Sequence, residues 1–294
     1  MMKSVECNIC NFNSTSPNSI DMGRCRGNTL KYHKQEFNIW KCPKCETIHC
    51  LDPVNMEELY SDYCLNLERP LDGYAKKTFS NLISRLIPYG FNSSKKVLDY
   101  GCGSGTFLNY LRTKGFTNII GYDPYVKNFN TFPNEKFDFV ILNDVLEHVE
   151  DPIDLIETAK SLLNDNGILY VGTADSSGVK NMANLESEIM RLHLPFHRKI
   201  INQKTLLSIG ERLKLKTIAS FQRSYMDTLI PFGNYRFLDE YNKALGHILE
   251  KALDPKSSSI VFKKPKLFIY AFLGYFMPSA LEPAVIWKPE DLIA

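Results

Sequence analysis

An excess of either charge is what this chain lacks: 35 lysines and arginines face 33 aspartates and glutamates, for a net charge of +2. That balance disfavours a surface built throughout for phosphate backbones, while leaving local patches open. Long hydrophobic runs are missing too. The longest uncharged apolar stretch, Leu267 to Met277, covers 11 residues, well short of the roughly 20 that a spanning helix needs. Met1 to Cys7 contains no apolar run of the secretory kind, so the expected location is the reducing cytoplasm. Cysteine almost vanishes after position 64: seven of the eight lie between Cys7 and Cys64, and Cys102 stands alone in the remainder. Such a density excludes a small disulfide scaffold. What is present, 44% hydrophobic and 12% aromatic residues in 294 positions, suffices for a packed core and suits about two domains.

The text divides accordingly into a cysteine-rich module at 1–51, connecting helices at 52–94 and a larger body at 95–294. In 52–94, Leu59 and Tyr63, then Tyr74, Phe79, Leu82, Ile83 and Leu86, recur at helical spacing. The body reads as α/β. Short β-rich runs at Val97–Tyr100, Ile119–Tyr122, Phe137–Leu142 and Ile168–Gly172 alternate with helical stretches, which predicts a parallel sheet covered on both faces. Asp151-Pro152 predicts an N-cap followed by proline at the first helical position. A helix near Gln203–Leu213 and strands near Leu215–Phe221 and Ala284–Trp287 complete the expected elements.

Cys7-x-x-Cys10 and Cys42-x-x-Cys45 are two knuckles. Each brings two thiolates within reach of one ion, and four thiolates fill the closed tetrahedral shell of a structural zinc. Cys25, Cys50, His33 and His49 read as packing or surface residues. A nucleic-acid-binding ribbon is the competing reading; against it, the basic residues from Arg24 to Lys44 are scattered without an aromatic stacking pattern, so no nucleic-acid partner is expected.

Val97 to Leu108 spells a strand, a glycine turn and a helix start, with Gly101, Cys102, Gly103 and Gly105 in a G-x-G-x-G spacing. Such a turn lets backbone approach a ligand and aims free N–H groups at a carboxylate or phosphate. Asp99, two residues before the first glycine, can accept hydrogen bonds from an ammonium group. Thr106 occupies the place where the dinucleotide fingerprint wants its third glycine. Asp123 ends the next strand, 22 residues after Gly101, where a carboxylate can accept both hydroxyls of a ribose. The implied ligand has an amino-acid end and a nucleoside end.

Asp99–Gly105, Gly121-Tyr122-Asp123-Pro124 and Phe137–Pro152 together resemble the class I S-adenosylmethionine-dependent methyltransferases, and within them the branch containing the ubiquinone-biosynthesis O-methyltransferases. The knuckles, the Pro53–Tyr63 helix and the stretch from His193 to Leu206 resemble its zinc-ribbon-bearing members. The resemblance implies a Rossmann-like sheet of seven strands with an antiparallel last strand. It implies that Gly101, Gly103 and Gly105 hold the methionine part of S-adenosylmethionine, that Asp123 holds the ribose, and that Asn143 lines the cleft. It also implies methyl transfer to a small-molecule acceptor, with O-methylation preferred and a quinol, phenol, sugar or other secondary metabolite as acceptor. A zinc-ribbon adaptor without catalysis and an NAD-dependent oxidoreductase are the alternatives. One departure stands out. Only 13 residues separate Asp123 from Phe137, where the family fits its next helix, third strand and adenine-reading acid, so that helix and strand are expected shortened or missing and adenine recognition does not carry over, with Phe129, Asn130 and Phe132 as candidates. The edge left bare is expected to be covered by the cysteine module or by a second subunit in a homodimer.

Two groups of residues are candidates for the chemistry. Asp144, Glu147 and His148 stand at i, i+3 and i+4; the resemblance associates the matching trio with a divalent metal such as magnesium, while the preferred reading is structural, with Asp144 as N-cap and Glu147 closing a capping box. His197 matches a histidine of the family's stretch and, with His148, is the candidate proton acceptor. The segments 176–200 and 223–281 are expected as caps on the substrate side. Within the second, Leu267–Met277 follows Lys263, Lys264 and Lys266. It reads either as core over the acceptor or as a peripheral membrane contact through 263–277.

Overall fold

The parallel strands of the body are short apolar runs that end at glycine, asparagine or a polar turn, the pattern of a sheet covered on both faces. In the computed structural model, which describes residues 4–15, 21–61, 63–66, 70–278 and 281–290, these runs lie where the sequence places them. The cysteine module contributes β1 (Val5–Cys7), β2 (Phe12–Ser14), β3 (Met22–Arg26), β4 (Glu36–Lys41) and β5 (Ile48–Cys50). Two helices, α1 (Met56–Ser61) and α2 (Gly73–Leu86), connect it to the body. There β6 (Val97–Tyr100), α3 (Thr106–Thr113), β7 (Ile119–Tyr122), β8 (Phe137–Asn143), α4 (Pro152–Ser161) and β9 (Leu163–Gly172) form the first half. The second half holds α5 (Ile189–Leu192), β10 (Lys199–Ile200), α6 (Gln203–Arg212) and β11 (Leu215–Arg223). Four helices follow, α7 (Tyr235–Ala244), α8 (Leu249–Leu253), α9 (Ile260–Lys263) and α10 (Lys266–Leu273), before the last strand β12 (Leu281–Pro289).

Among the described residues the body sheet has six strands, in the order β11-β12-β9-β8-β6-β7. β7, β6, β8 and β9 are parallel, and β12 is inserted antiparallel between β9 and β11. The seventh strand that the resemblance implies is missing: after β7 the chain turns back through 124–136 without a helix or a strand, because 13 residues cannot hold both. β7 is consequently the sheet's edge. Phe132 leans edge-on against Tyr122 at 5.1 Å. The cysteine module lies elsewhere, so it does not cover this edge as expected.

Alternate strand residues feed two cores. Leu98, Val140, Leu142, Leu169, Val171, Val285 and Trp287 face α4 and α6 on one side. Val97, Phe139, Ile141, Ile168, Tyr170 and Ile286 face α2 and α3 on the other. The first core also takes in Val5, Cys7, Ile9, Trp40 and Cys42, so the cysteine module packs directly on the body. β10, from the body, pairs with β5 and extends the module's β3-β4-β5 sheet to four strands. The segment 176–200 also goes to the module: Val179, Met182, Leu185, Ile189 and Leu192 pack on Cys25, Phe37 and Ile39.

Asp151 accepts hydrogen bonds from the N–H groups of Ile153 and Asp154, capping α4 as its Asp-Pro pair predicts. β11 runs parallel to β9, since both are antiparallel to β12. The excursion from Ser224 to β12 therefore leaves from the same end of the sheet as the glycine turn.

Candidate active site and cysteine centre

The turn after β6 needs backbone that only glycine adopts cheaply. Gly101, Gly103 and Gly105 all have positive φ, at 81°, 50° and 79°. Space is equally tight: a Cβ on Gly101 would come 2.3 Å from Val145, and one on Gly105 would come 2.8 Å from the Phe129 ring. Phe129 thus buttresses the turn. Asp123 closes it from β7. One carboxylate oxygen accepts the Gly103 N–H at 3.0 Å and the other accepts the Tyr125 N–H at 2.9 Å. These bonds act against burial, the larger effect, which pushes the Asp123 carboxyl up. Asp99, fully enclosed on β6, is pushed up to about 7 by burial and secondarily by Asp123.

The turn opens on a cavity of about 400 Å³ lined by Asp99, Gly101, Cys102, Gly103, Asp123 and Asn143, every one of which the sequence singles out. Phe129, Asn130 and Phe132 do not line it; Tyr100, Pro124, Tyr125, Val149 and Leu155 do. Met56 and Tyr60 of α1 form the roof, together with Tyr63 and Leu65 just beyond the helix. Tyr60 and Tyr125 stack across the mouth with ring centroids 4.5 Å apart. The expected cap at 176–200 contributes no residue to the lining.

Asp144 and Tyr225 also line the cavity. Asp144 has a left-handed backbone (φ 56°), and its carboxylate accepts from the Asn143 side-chain amide at 2.8 Å and the Tyr225 hydroxyl at 3.1 Å. It caps no helix: the one-turn helix at Leu146–His148 starts after Val145. Glu147 closes no capping box either, because its carboxylate accepts from the Thr173 hydroxyl and the Ala174 N–H. The structural reading of this pair is corrected in both particulars, since the left-handed turn at Asp144 redirects the two side chains. Burial raises the carboxyls of Asp144, Glu147 and Glu282, with Glu147 adding to the rise at Asp144 and Asp144 to that at Glu282. Asn143 Oδ1 is buried and has no hydrogen-bond partner among the described residues.

His148 lines the cavity and burial pushes its imidazole down to about 4. The Tyr60 hydroxyl and His148 Nδ1 are hydrogen-bonded at 2.7 Å. His197 stands behind His148, ring centroids 4.8 Å apart, and donates through Nδ1 to the Arg191 carbonyl; it is not a lining residue. The trio Asp144, Glu147, His148 is not brought together as a ligand set. Ligand atoms of Glu147, His148 and His197 are, all within 4.8 Å of one another.

In the cysteine module, Cys7 Sγ and Cys45 Sγ are 3.5 Å apart, Cys10 Sγ and Cys42 Sγ 3.6 Å, and all four sulfurs fall within 4.8 Å. Tetrahedral Zn–S bonds of about 2.3 Å place sulfurs roughly 3.8 Å apart, so the cage is the right size. Asn11 and Glu46, each following a knuckle's second cysteine, adopt left-handed φ of 55° and 59°, supplying the turn that glycine often makes. The body holds the cage: Thr205 Oγ1 and Asn202 Nδ2 donate to the Cys45 carbonyl, and Arg212 donates to that of Ile9. Cys25 and Cys50 are buried apart in another core.

A family model described as a methyltransferase domain matches residues 71–219, half of the chain. The ubiquinone biosynthesis O-methyltransferase of Actinobacillus pleuropneumoniae serotype 7 is 31% identical over 107 residues, 27% of this chain and 45% of that protein. The tRNA U34 carboxymethyltransferase of Campylobacter fetus is 25% identical over 207 residues, 60% of this chain and 68% of that one. Among solved structures, coclaurine N-methyltransferase bound to N-methylheliamine and SAH matches with a TM-score of 0.46 and 11% identity, covering 81% of this chain and 79% of that chain. This chain therefore spans less than half the length of the ubiquinone relative it matches. With half its residues described by the methyltransferase model and its glycine turn in place, the chain belongs to the S-adenosylmethionine-dependent methyltransferase family.

Proposed function

We propose that the protein binds S-adenosylmethionine in the cavity under α1 and transfers its methyl group to a hydroxyl of a small-molecule acceptor that enters beside Tyr225. The observation that carries this reading is the glycine turn, tied to β7 by Asp123 and opening on that cavity. The residues suit the cofactor: the glycine turn lets a ligand approach the backbone closely, and the orphaned Asn143 Oδ1 and buried Asp99 fit its ammonium end. Asp123 keeps lone pairs for ribose hydroxyls. When bound, S-adenosylmethionine supplies a methyl already activated on sulfonium sulfur, so the protein's tasks are alignment, exclusion of water and removal of one proton.

Asp144 is better placed for that proton than either histidine. It lines the cavity, has spare acceptor capacity and is raised from the usual carboxylate range, which makes a stronger base. His148 is a weak base with Nδ1 engaged by Tyr60; its part is to hold Tyr60. His197 positions His148. We assign a structural zinc to Cys7, Cys10, Cys42 and Cys45, a closed set of four sulfurs with no position open for catalysis. The Glu147, His148 and His197 group suits a magnesium-like ion poorly, because two of its three ligands are imidazoles where such an ion takes oxygen.

A tRNA acceptor is the second reading, favoured by the relative named as a tRNA enzyme. Incubation of cell extract with methyl-labelled S-adenosylmethionine tests the choice. Label in the small-molecule or lipid fraction supports the proposal, and label confined to RNA overturns it.

A further inference from the structure

The excursion between β11 and β12 carries an apolar surface that the methyl-transfer reading does not use. Within Lys266–Leu273 only Leu267 and Ala271 are buried; they pack on Phe237, Tyr241 and Val261. The opposite side is open: Phe262, Ile269, Phe272, Leu273 and Phe276 are exposed, from 52% for Ile269 to 79% for Phe262. The core reading of Leu267–Met277 thus holds for one stripe alone. A continuous aromatic and aliphatic patch of this kind marks an interaction site on a protein surface.

The patch is a fixed platform. Asn234 caps α7 and donates its side-chain amide to the Tyr270 and Ala271 carbonyls, holding the end of α10. Arg223, the last residue of β11, donates to the Tyr275 carbonyl and lies 3.7 Å over its ring. Phe232 meets Phe268 and Phe272 edge-on and closes the patch on one side.

Charge decides what covers it. From Pro255 to Met277 the chain has four lysines, Lys256, Lys263, Lys264 and Lys266, and no aspartate or glutamate; the last three are exposed at the start of α10. A symmetric second copy would bring these lysines toward their equivalents. An anionic lipid surface would instead pair head groups with lysines while aromatics enter the acyl boundary. α10 has eight residues, and no helix among the described residues is long and apolar enough to cross a membrane.

We propose that the α9–α10 face docks this protein onto the surface of an anionic membrane, lying in the interface with Phe262, Phe272 and Phe276 inserted and Lys263, Lys264 and Lys266 at the head groups. The excursion leaves the sheet at its cofactor end, and its second residue, Tyr225, lines the cavity. Docking therefore turns the acceptor end of the site toward the bilayer, where a lipid-borne hydroxyl can reach it. The docking itself is independent of whether methyl transfer is the reaction.

Flotation of the intact protein with phosphatidylcholine vesicles, with and without phosphatidylglycerol, tests this. The wild type should float with the anionic vesicles and stay largely behind with the neutral ones. Lys263→Glu/Lys264→Glu/Lys266→Glu should lower the anionic-vesicle affinity about tenfold or more. Phe272→Ser/Leu273→Ser should abolish flotation while leaving the thermal midpoint within a few degrees, because neither side chain is in the core. Wild type that remains in solution with anionic vesicles at low and physiological salt overturns the proposal. So does an apolar variant that floats as well as the wild type, or one that loses only a concentration-dependent dimer.

Discussion

Asp123 Oδ2 accepts the Gly103 N–H at 3.0 Å across the gap between β7 and the glycine turn. The same carboxylate that reads as a ribose ligand is a strut of the turn, so its two roles share one side chain. The glycine turn holds its positive-φ geometry because Asp123 fastens it from one side and Phe129 from the other. Cofactor affinity and local stability are consequently coupled at this position.

Asp144→Asn removes the proposed base but keeps an acceptor for Tyr225. A carboxyl raised by burial becomes a base only above its raised pKa, so the wild-type kcat/KM should climb as pH rises through that value. The variant should lose that rising limb and lose roughly 100-fold to 10,000-fold in kcat. A pH-rate profile with whichever acceptor takes up label checks this, and an unchanged limb would assign the proton to another group.

Zinc analysis by mass spectrometry should find about one ion per chain. Cys42→Ser, or a strong chelator, should lower stability because binding energy of the metal is folding energy for the cage. Since Cys7, Cys42 and Trp40 share a core with Leu206 and Trp287, the loss should reach the body and shift one common thermal transition. A metal-free protein that melts like the wild type would contradict the assignment.

What could be read ahead of the structure was local. The CxxC pairs, the glycine turn, the Asp151-Pro152 cap and the strands at 97–100 and 119–122 depend on residues a few positions apart, and each lies where expected. That the region after β7 must be shortened was legible from the 13 residues between Asp123 and Phe137, although the resemblance still implied seven strands. Long-range choices were not. Two residues at Lys199–Ile200 carry no strand signal of their own, yet they extend the module's sheet. Nothing in the sequence around Asp144 announces a left-handed backbone, which sends its carboxylate to Tyr225 from a segment 81 residues away. Of the two segments expected as caps, 223–281 reaches the cavity through Tyr225 while 176–200 packs on the cysteine module, because position after a strand says where a segment starts, not on what it packs.

His49 offers a test of the packing electrostatics away from the cavity. It is buried against Trp40, 5.2 Å between ring centroids, and burial chiefly, with Lys199 second, pushes it down to about 3. A histidine whose folded pKa lies below the unfolded value of about 6.5 is stabilising to keep neutral above that value, and the stability is lost as pH falls through the window toward 3. His49→Leu removes this loss. In urea denaturation the stability of wild type minus that of variant should therefore be smaller near pH 5 than near pH 7.5, whatever its sign at pH 7.5. An equal difference at both pH values would mean that His49 is charged in the fold or hydrated.

The most direct measurement is calorimetric titration of the wild type and Asp123→Ala with S-adenosylhomocysteine. The wild type should bind one equivalent, and the variant should bind at least about tenfold more weakly, since hydrogen bonds to a carboxylate contribute about 1.5 to 3 kcal/mol each. Its thermal midpoint should also fall, through the released Gly103 and Tyr125 N–H groups. No heat with S-adenosylhomocysteine, together with saturable binding of NAD by the wild type, would contradict the account at its centre.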